Sequence, residues 1–344
     1  MKPIMAAFIS LAGETLTDFE KAYLDRYNPA GVVLFKRNIR DKMQLRALTT
    51  AIREAVGRTN ILIATDQEGG RVCRLTRPEW RAYAAQRTLG ALPWDKAAKA
   101  CHLHAALMAR DLKYAGLNMD LAPVLDCCTP FTAPVLKSRC LSDDTDTITR
   151  LGKILLQTFI KAGVCPCVKH LPGHGRVTTD PHLHLPVLKA TFKETESDFY
   201  PFAALAPQSP VGMTAHIVLP EWDDKPATQS PRVITDIIRG RIGFNGLLIS
   251  DALDMQALKG TLTERATGAL NAGCDCVCYA FGEQSGLEEL AHVVPPLNIK
   301  GLERLSIACH SAEKPFDETL IPQNADSQYD ALIADAPVLA DDYD

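Results

Sequence analysis

No stretch of this 344-residue chain approaches the roughly 20 consecutive apolar residues that a membrane-spanning helix needs, so no span is expected. A secretion signal is not expected either. Lys2 alone precedes the apolar stretch Ile4 to Leu11, no small-x-small cleavage pattern follows, and Gly13 leads straight into a helix-like segment. The stretch reads instead as a first β-strand. Nor is there an excess of positive charge: 37 Lys and Arg stand against 41 Asp and Glu, a formal net charge of −4. That removes the electrostatic basis for nucleic acid as a partner. A disulfide framework is not expected either. The eleven cysteines are odd in number and mostly lie inside apolar runs (Cys165, Cys167, Cys274, Cys276, Cys278), which suits buried thiols in a reducing, cytoplasmic setting.

What is present is a large apolar fraction, 47%, with 23% charged residues, as in a soluble globular protein. Short apolar runs alternate with amphipathic segments almost from end to end. Candidate strands are Ile4 to Ile9, Gly31 to Phe35, Ile61 to Asp66, Met119 to Val124, Val164 to His170, Val211 to His216, Leu247 to Asp251 and Cys274 to Ala280. Between them, Leu45, Leu48, Ile52 and Val56 recur at helical spacing, as do Ile148, Leu151, Leu155 and Phe159. About eight strand–helix repeats predict the α/β class and a single (β/α)8 TIM-type barrel over residues 1–320. A doubly wound open sheet is the alternative. Residues 321–344 are expected to be a flexible acidic tail, because Asp326, Asp330, Asp335, Asp341, Asp342 and Asp344 stand there without a basic residue.

Polar residues mark where the chemistry lies. Asp66, His170, His216 and Asp251 each end a candidate strand, and in a parallel barrel those ends share one rim. The densest group is Lys169-His170-Leu171-Pro172-Gly173-His174-Gly175, followed by Asp180-Pro181-His182. Glycosidic cleavage needs one group at the anomeric carbon and another to protonate the leaving oxygen. A histidine can be the second group when a carboxylate orients its ring, and Asp180, two residues from His182, is placed to do so. Metal readings exist beside this one. His182-Leu183-His184 is a His-x-His pair, and Cys165-Pro166-Cys167 with Cys274 to Cys278 could be read as zinc ligands. The pair sits mid-chain in a Pro-rich loop, His184 reads as a loop residue packed beside Leu183 and Leu185, and the cysteines fit as small buried hydrophobes. Neither a metal nor a cofactor is therefore expected.

The ordered set of motifs resembles glycoside hydrolase family 3, in its bacterial β-N-acetylhexosaminidase branch. Asp66-Gln67-Glu68-Gly69-Gly70-Arg71-Val72, Ala122-Pro123-Val124-Leu125-Asp126, Ser138-Arg139, Lys169 through His174, Thr214-Ala215-His216 and Ile249-Ser250-Asp251 follow one another as in that family. The resemblance implies that Asp251 is the nucleophile of a retaining reaction, with His182 as acid/base paired to Asp180. It implies that Asp66, Arg139, Lys169 and His170 hold an N-acetylglucosamine unit, and that the partner is a small sugar or muropeptide in cell-wall recycling. An ion pair tying Asp66 to Arg139 is the purely structural alternative for those two. Three departures stand out: Asp180-Pro181-His182 where Asp-Ser-His is usual, Ala252 and Asp254 after the nucleophile where Asp and Ser are common, and Cys140-Leu141 after Arg139. The second makes Asp254 a rival carboxylate. Competing functions are a phosphorylase using the same site, a metal-dependent amidohydrolase on the same barrel, and a silent sugar-binding protein.

Overall fold

Eight apolar runs become the eight staves of a closed parallel barrel. In the computed structural model, which describes residues 2–179, 184–188 and 190–337, β1 (Met5–Ile9), β2 (Pro29–Val33), β3 (Leu62–Thr65), β6 (Met119–Asp120), β7 (Cys165–Leu171), β8 (Val211–Thr214), β9 (Leu247–Ala252) and β10 (Cys276–Tyr279) pair in the order β1-β10-β9-β8-β7-β6-β3-β2. A small antiparallel hairpin, β4 (Gln67–Gly69) with β5 (Val72–Cys73), projects beyond β3. Every residue of β1, β2, β3, β7 and β8 is buried. Parallel strands covered by helices on one side and a packed interior on the other have no solvent face, so their sequences read as unbroken apolar runs. The N-terminal apolar stretch is one of these strands.

The fourth stave is shorter than expected. Pro123 has no N–H to give a ladder, so regular pairing stops at Asp120 and resumes only as a bridge between Val124 and Lys169. The helical patterns are realised as Lys42–Val56 and Thr145–Lys161, whose periodic apolar residues are all buried. Thr17, Thr191 and Thr261 start helices by capping boxes with Glu20, Glu194 and Glu264.

Two irregularities matter for function. Between Val168 and Leu171 β7 carries one residue more than its partner β8, and between Ile249 and Ala252 β9 carries one more than β10. Successive side chains on a regular strand point to opposite faces, whereas a bulge lets neighbours turn the same way. The extra residues fall at Lys169-His170 and Ser250-Asp251.

The acidic C-terminal region is not a flexible appendage over its described part. Residues Ala325–Ala334 form a helix that packs on Trp94–Tyr114, with Tyr329 only 1% exposed. Asp326 pairs with Arg81 at 2.7 Å and Arg110 at 3.1 Å, Asp330 with Arg81, and Asp335 with Lys96 at 2.7 Å. The cations that order this helix lie more than two hundred residues upstream, where local composition gives no hint of them.

Candidate active site

The carboxyl ends of the staves enclose a cavity of about 320 Å³. Phe35 follows β2, Asp66 follows β3, Lys169 and His170 come from β7, Met213 from β8, and Asp251 from β9. Arg139, from the segment after β6, closes one side, while Arg71 and Arg74 reach in from the hairpin. Five of the seven residues named as catalytic or substrate-binding, Asp66, Arg139, Lys169, His170 and Asp251, thus meet at one cavity. The other two, Asp180 and His182, lie outside the described residues.

Charge in this cavity is organised by a residue to which the sequence reading gave no role. Glu68 is buried and accepts a forked pair from Arg139, Nε to Oε2 at 2.8 Å and Nη2 to Oε1 at 2.9 Å. Lys169 Nζ lies 2.7 Å from Glu68 Oε1 and 3.0 Å from Asp66 Oδ1. Asp66 in turn takes Arg74 Nη2 at 3.0 Å. Arg139 therefore pairs with Glu68, and the Asp66–Arg139 pair considered from sequence is not formed. Burial opposes the charge on Asp66, but Lys169 and Arg74 outweigh it and hold the carboxyl far below its usual range. Glu68 is likewise held down against burial by Arg139 and Lys169. Asp66 and Glu68 are two apart at the hairpin's start, a spacing that shares a face, and that periodicity was the available clue.

His170 is fixed from behind. Its Nδ1 lies 2.7 Å from Asp126 Oδ2, and the His170 and His174 amides donate to Asp126 Oδ1 at 3.3 and 2.7 Å. Its Nε2, 3.3 Å from Arg139 Nη2, faces the cavity. Asp126 ends the Ala122 to Asp126 motif, so its position was visible from sequence although its task was not. His174 also lines the cavity; burial and the neighbouring His170 push its ring down to about 3, so it is neutral, and neither ring nitrogen has a partner among the described residues. His216 braces the rim: Nδ1 is 2.8 Å from Thr228 Oγ1 and Nε2 is 3.0 Å from the Ala252 carbonyl, next to Asp251.

Asp251 stands at the bulge of β9, where the Ala252 amide donates to Oδ1 at 2.8 Å. Burial works against its charge, yet His216 and His170 keep it below the usual carboxylate range. Asp254 also lines the cavity, but burial raises it, and its Oδ1 is engaged by the Ala280 amide at 2.7 Å. Asp126, His170 and His174 are the one grouping among the described residues with three potential metal-ligand atoms within 4.8 Å of one another. In that grouping Asp126 is already engaged by the His170 ring and by two amides. His184 is exposed, and Leu183 beside it lies outside the described residues. All eleven cysteines are free thiols, ten of them buried.

Comparison with known proteins agrees with this geometry. Residues 8–304 match the family model described as glycosyl hydrolase family 3 N terminal domain. The chain belongs to glycosyl hydrolase family 3. It is a glycoside hydrolase built on that family's (β/α)8 barrel. A β-hexosaminidase of Chromobacterium violaceum is 38% identical over 312 residues, covering 88% of this chain and 85% of that protein. One from Bordetella avium is 35% identical over 342 residues, covering 97% and 92%. Among solved family 3 structures, native NagZ of Neisseria gonorrhoeae superposes with a TM-score of 0.85 at 29% identity, covering 98% of this chain and 99% of that one. The same enzyme in complex with N-trifluoroacetyl-D-glucosamine gives the same values, 0.85, 29%, 98% and 99%.

Proposed function

We propose that this protein is a retaining exo-β-N-acetylglucosaminidase that releases N-acetylglucosamine from muropeptides during peptidoglycan recycling in the cytoplasm. The observation that carries the reading is the convergence of Asp251 with Asp66, Lys169, His170 and Arg139 on one cavity at the strand ends. Asp251 is the nucleophile. Its free oxygen attacks the anomeric carbon, the glycosidic C–O bond breaks, and His182, oriented by Asp180, protonates the departing oxygen. Water then donates a proton to His182 and attacks the same carbon, and Asp251 leaves, so configuration is retained. Asp66, Arg139, Lys169 and His170 hold the sugar's hydroxyl and acetamido groups, because fixed charged donors and acceptors orient a neutral polyol. Asp251 is favoured over Asp254 because it is held below the usual carboxylate range, whereas burial raises Asp254. The relatives named β-hexosaminidase, and a structural relative that binds an N-acylated glucosamine, support the substrate class.

Replacing Asp251 by Ala abolishes turnover of an aryl β-N-acetylglucosaminide while leaving the thermal unfolding transition in place; near wild-type turnover in that variant rejects the assignment. Product analysis in phosphate buffer belongs to the same experiment. Free sugar is the expected product, whereas sugar 1-phosphate identifies a phosphorylase using the same site.

A further inference from the structure

The charges around the cavity pair off, and one cation is left over. Lys169, Arg139 and Arg74 stand against Asp66 and Glu68, with Asp251 on the same cavity. The remaining lining carboxylate, Asp254, accepts the Ala280 amide at 2.7 Å and has Arg37 nearby. Arg71 also lines the cavity, and among the described residues it has neither a hydrogen bond nor an ion pair. Its place is the mouth. Side-chain exposure rises from 2% at Lys169 through 14% at Asp66 to 25% at Arg74, and Arg71, at the tip of the β4–β5 hairpin, is exposed. That tip is firmly seated. The Gln67 amide donates to Asp120 Oδ1 at 3.0 Å, and Gln67 Oε1 accepts the Arg74 and Leu75 amides at 3.0 Å each. The Gly70 amide donates to Tyr83 O at 2.9 Å. Gly69, at φ +104°, packs so closely that a Cβ there would collide with Ala84 O, so the turn needs glycine to lie against this segment.

We propose that Arg71 selects the leaving group, through a forked ion pair with a carboxylate that the aglycone carries. The proposal rests on the glucosaminidase reading above and deepens it. An exo-acting enzyme holds the sugar it releases at the closed end of its pocket, so the aglycone projects through the mouth, where Arg71 stands. A neutral sugar needs no unpaired cation there, because the donors and acceptors deeper in the cavity already orient it. A guanidinium presents a planar fork of N–H donors that matches the two oxygens of a carboxylate, and on a rigid turn it loses little freedom on pairing. The same charge draws an anionic substrate toward the mouth and leaves a neutral one unaffected, an effect that fades as salt screens it. The carboxylate belongs either to the leaving sugar itself, as on the lactyl ether of a muramic acid unit, or to a peptide joined to that sugar. Both offer the same group to Arg71.

The test gives three substrates to the full-length wild type, Arg71→Ala and Arg71→Lys: an N-acetylglucosaminyl-β-N-acetylmuramic acid disaccharide with its carboxylate free, the methyl ester of that disaccharide, and the same disaccharide amide-linked to a peptide that bears carboxylates. Wild type is expected to favour the free acid, the peptide-bearing substrate or both over the ester by about three- to tenfold in kcat/KM, chiefly through KM. The preference shrinks as sodium chloride rises from about 0.05 to 0.5 M. Arg71→Ala brings the ratios close to one, and Arg71→Lys, which keeps the charge without the fork, falls between. Preference for the free acid alone supports the leaving sugar as the source of the carboxylate, and preference for the peptide-bearing substrate alone supports the peptide. Ratios near one in wild type, a preference that salt does not change, an equal fall on acid and ester in Arg71→Ala, or turnover of an aryl N-acetylglucosaminide but of none of the three overturns the proposal and leaves the glucosaminidase reading standing. Wild-type protein that releases N-acetylglucosamine from neither the aryl glycoside nor any of the three overturns both.

Discussion

At the scale of single residues, the cavity is controlled by a side chain set just behind the groups that line it. Glu68 receives both Arg139 and Lys169, so it fixes the spacing of two cations, one on β7 and one on the segment after β6. Replacing one partner of a buried ion pair leaves the other charge uncompensated, at a cost of about 3–5 kcal/mol. Glu68→Gln is therefore expected to lower the unfolding midpoint in denaturant and raise KM for the aryl glycoside together. A variant with unchanged KM shows that the pair is only structural. Asp66, Lys169 and His170 were legible in the sequence because each stands at the end of an apolar run. Glu68 was not, because its role depends on partners 71 and 101 positions away, numbers that follow from positions 68, 139 and 169. Asp180 and His182 are in the opposite situation: the resemblance names them, and they lie outside the described residues.

At the scale of elements, the eight strands were legible because burial on both faces leaves an unmistakable apolar signature. The C-terminal helix was not legible, since its acidic face is satisfied by the distant Arg81, Arg110 and Lys96. That helix is connected to the site by a short relay. The Ala84 amide donates to the Tyr329 hydroxyl at 3.1 Å, the hydroxyl lies 2.7 Å from His104 Nδ1, and His104 Nε2 lies 3.1 Å from the Glu68 carbonyl. Removing one member of a buried hydrogen-bonded set costs about 1–3 kcal/mol. Tyr329→Phe is expected to lose stability in that range and to weaken sugar binding modestly, read as a higher KM with little change in kcat. An unchanged unfolding midpoint contradicts the helix's structural role.

At the scale of the whole molecule, the barrel gathers many buried ionisable groups whose pH responses oppose one another. Buried Asp120 is raised well above its usual range and Asp198 to about 6, while Asp66, Glu68 and Asp126 are lowered. The bulk stability profile is thus a sum of opposing slopes, and a difference between two proteins isolates one of them. His104 is lowered by burial from 6.5 to about 4, so the native state refuses a proton that the unfolded chain accepts below 6.5. Its contribution is present above 6.5 and is lost as pH falls toward 4, by about 2 kcal/mol between pH 7 and pH 5. Wild type minus His104→Gln, measured by urea unfolding at both pH values, is expected to shrink by that amount on acidification; a constant difference contradicts a neutral buried ring. The account as a whole turns on a covalent bond between Asp251 and the sugar. The direct measurement is peptide mapping by mass spectrometry after reaction with a fluorinated, slowly released N-acetylglucosaminyl donor. The account predicts a glycosylated peptide modified at Asp251, and a label on Asp254, or none while the donor is consumed, contradicts it.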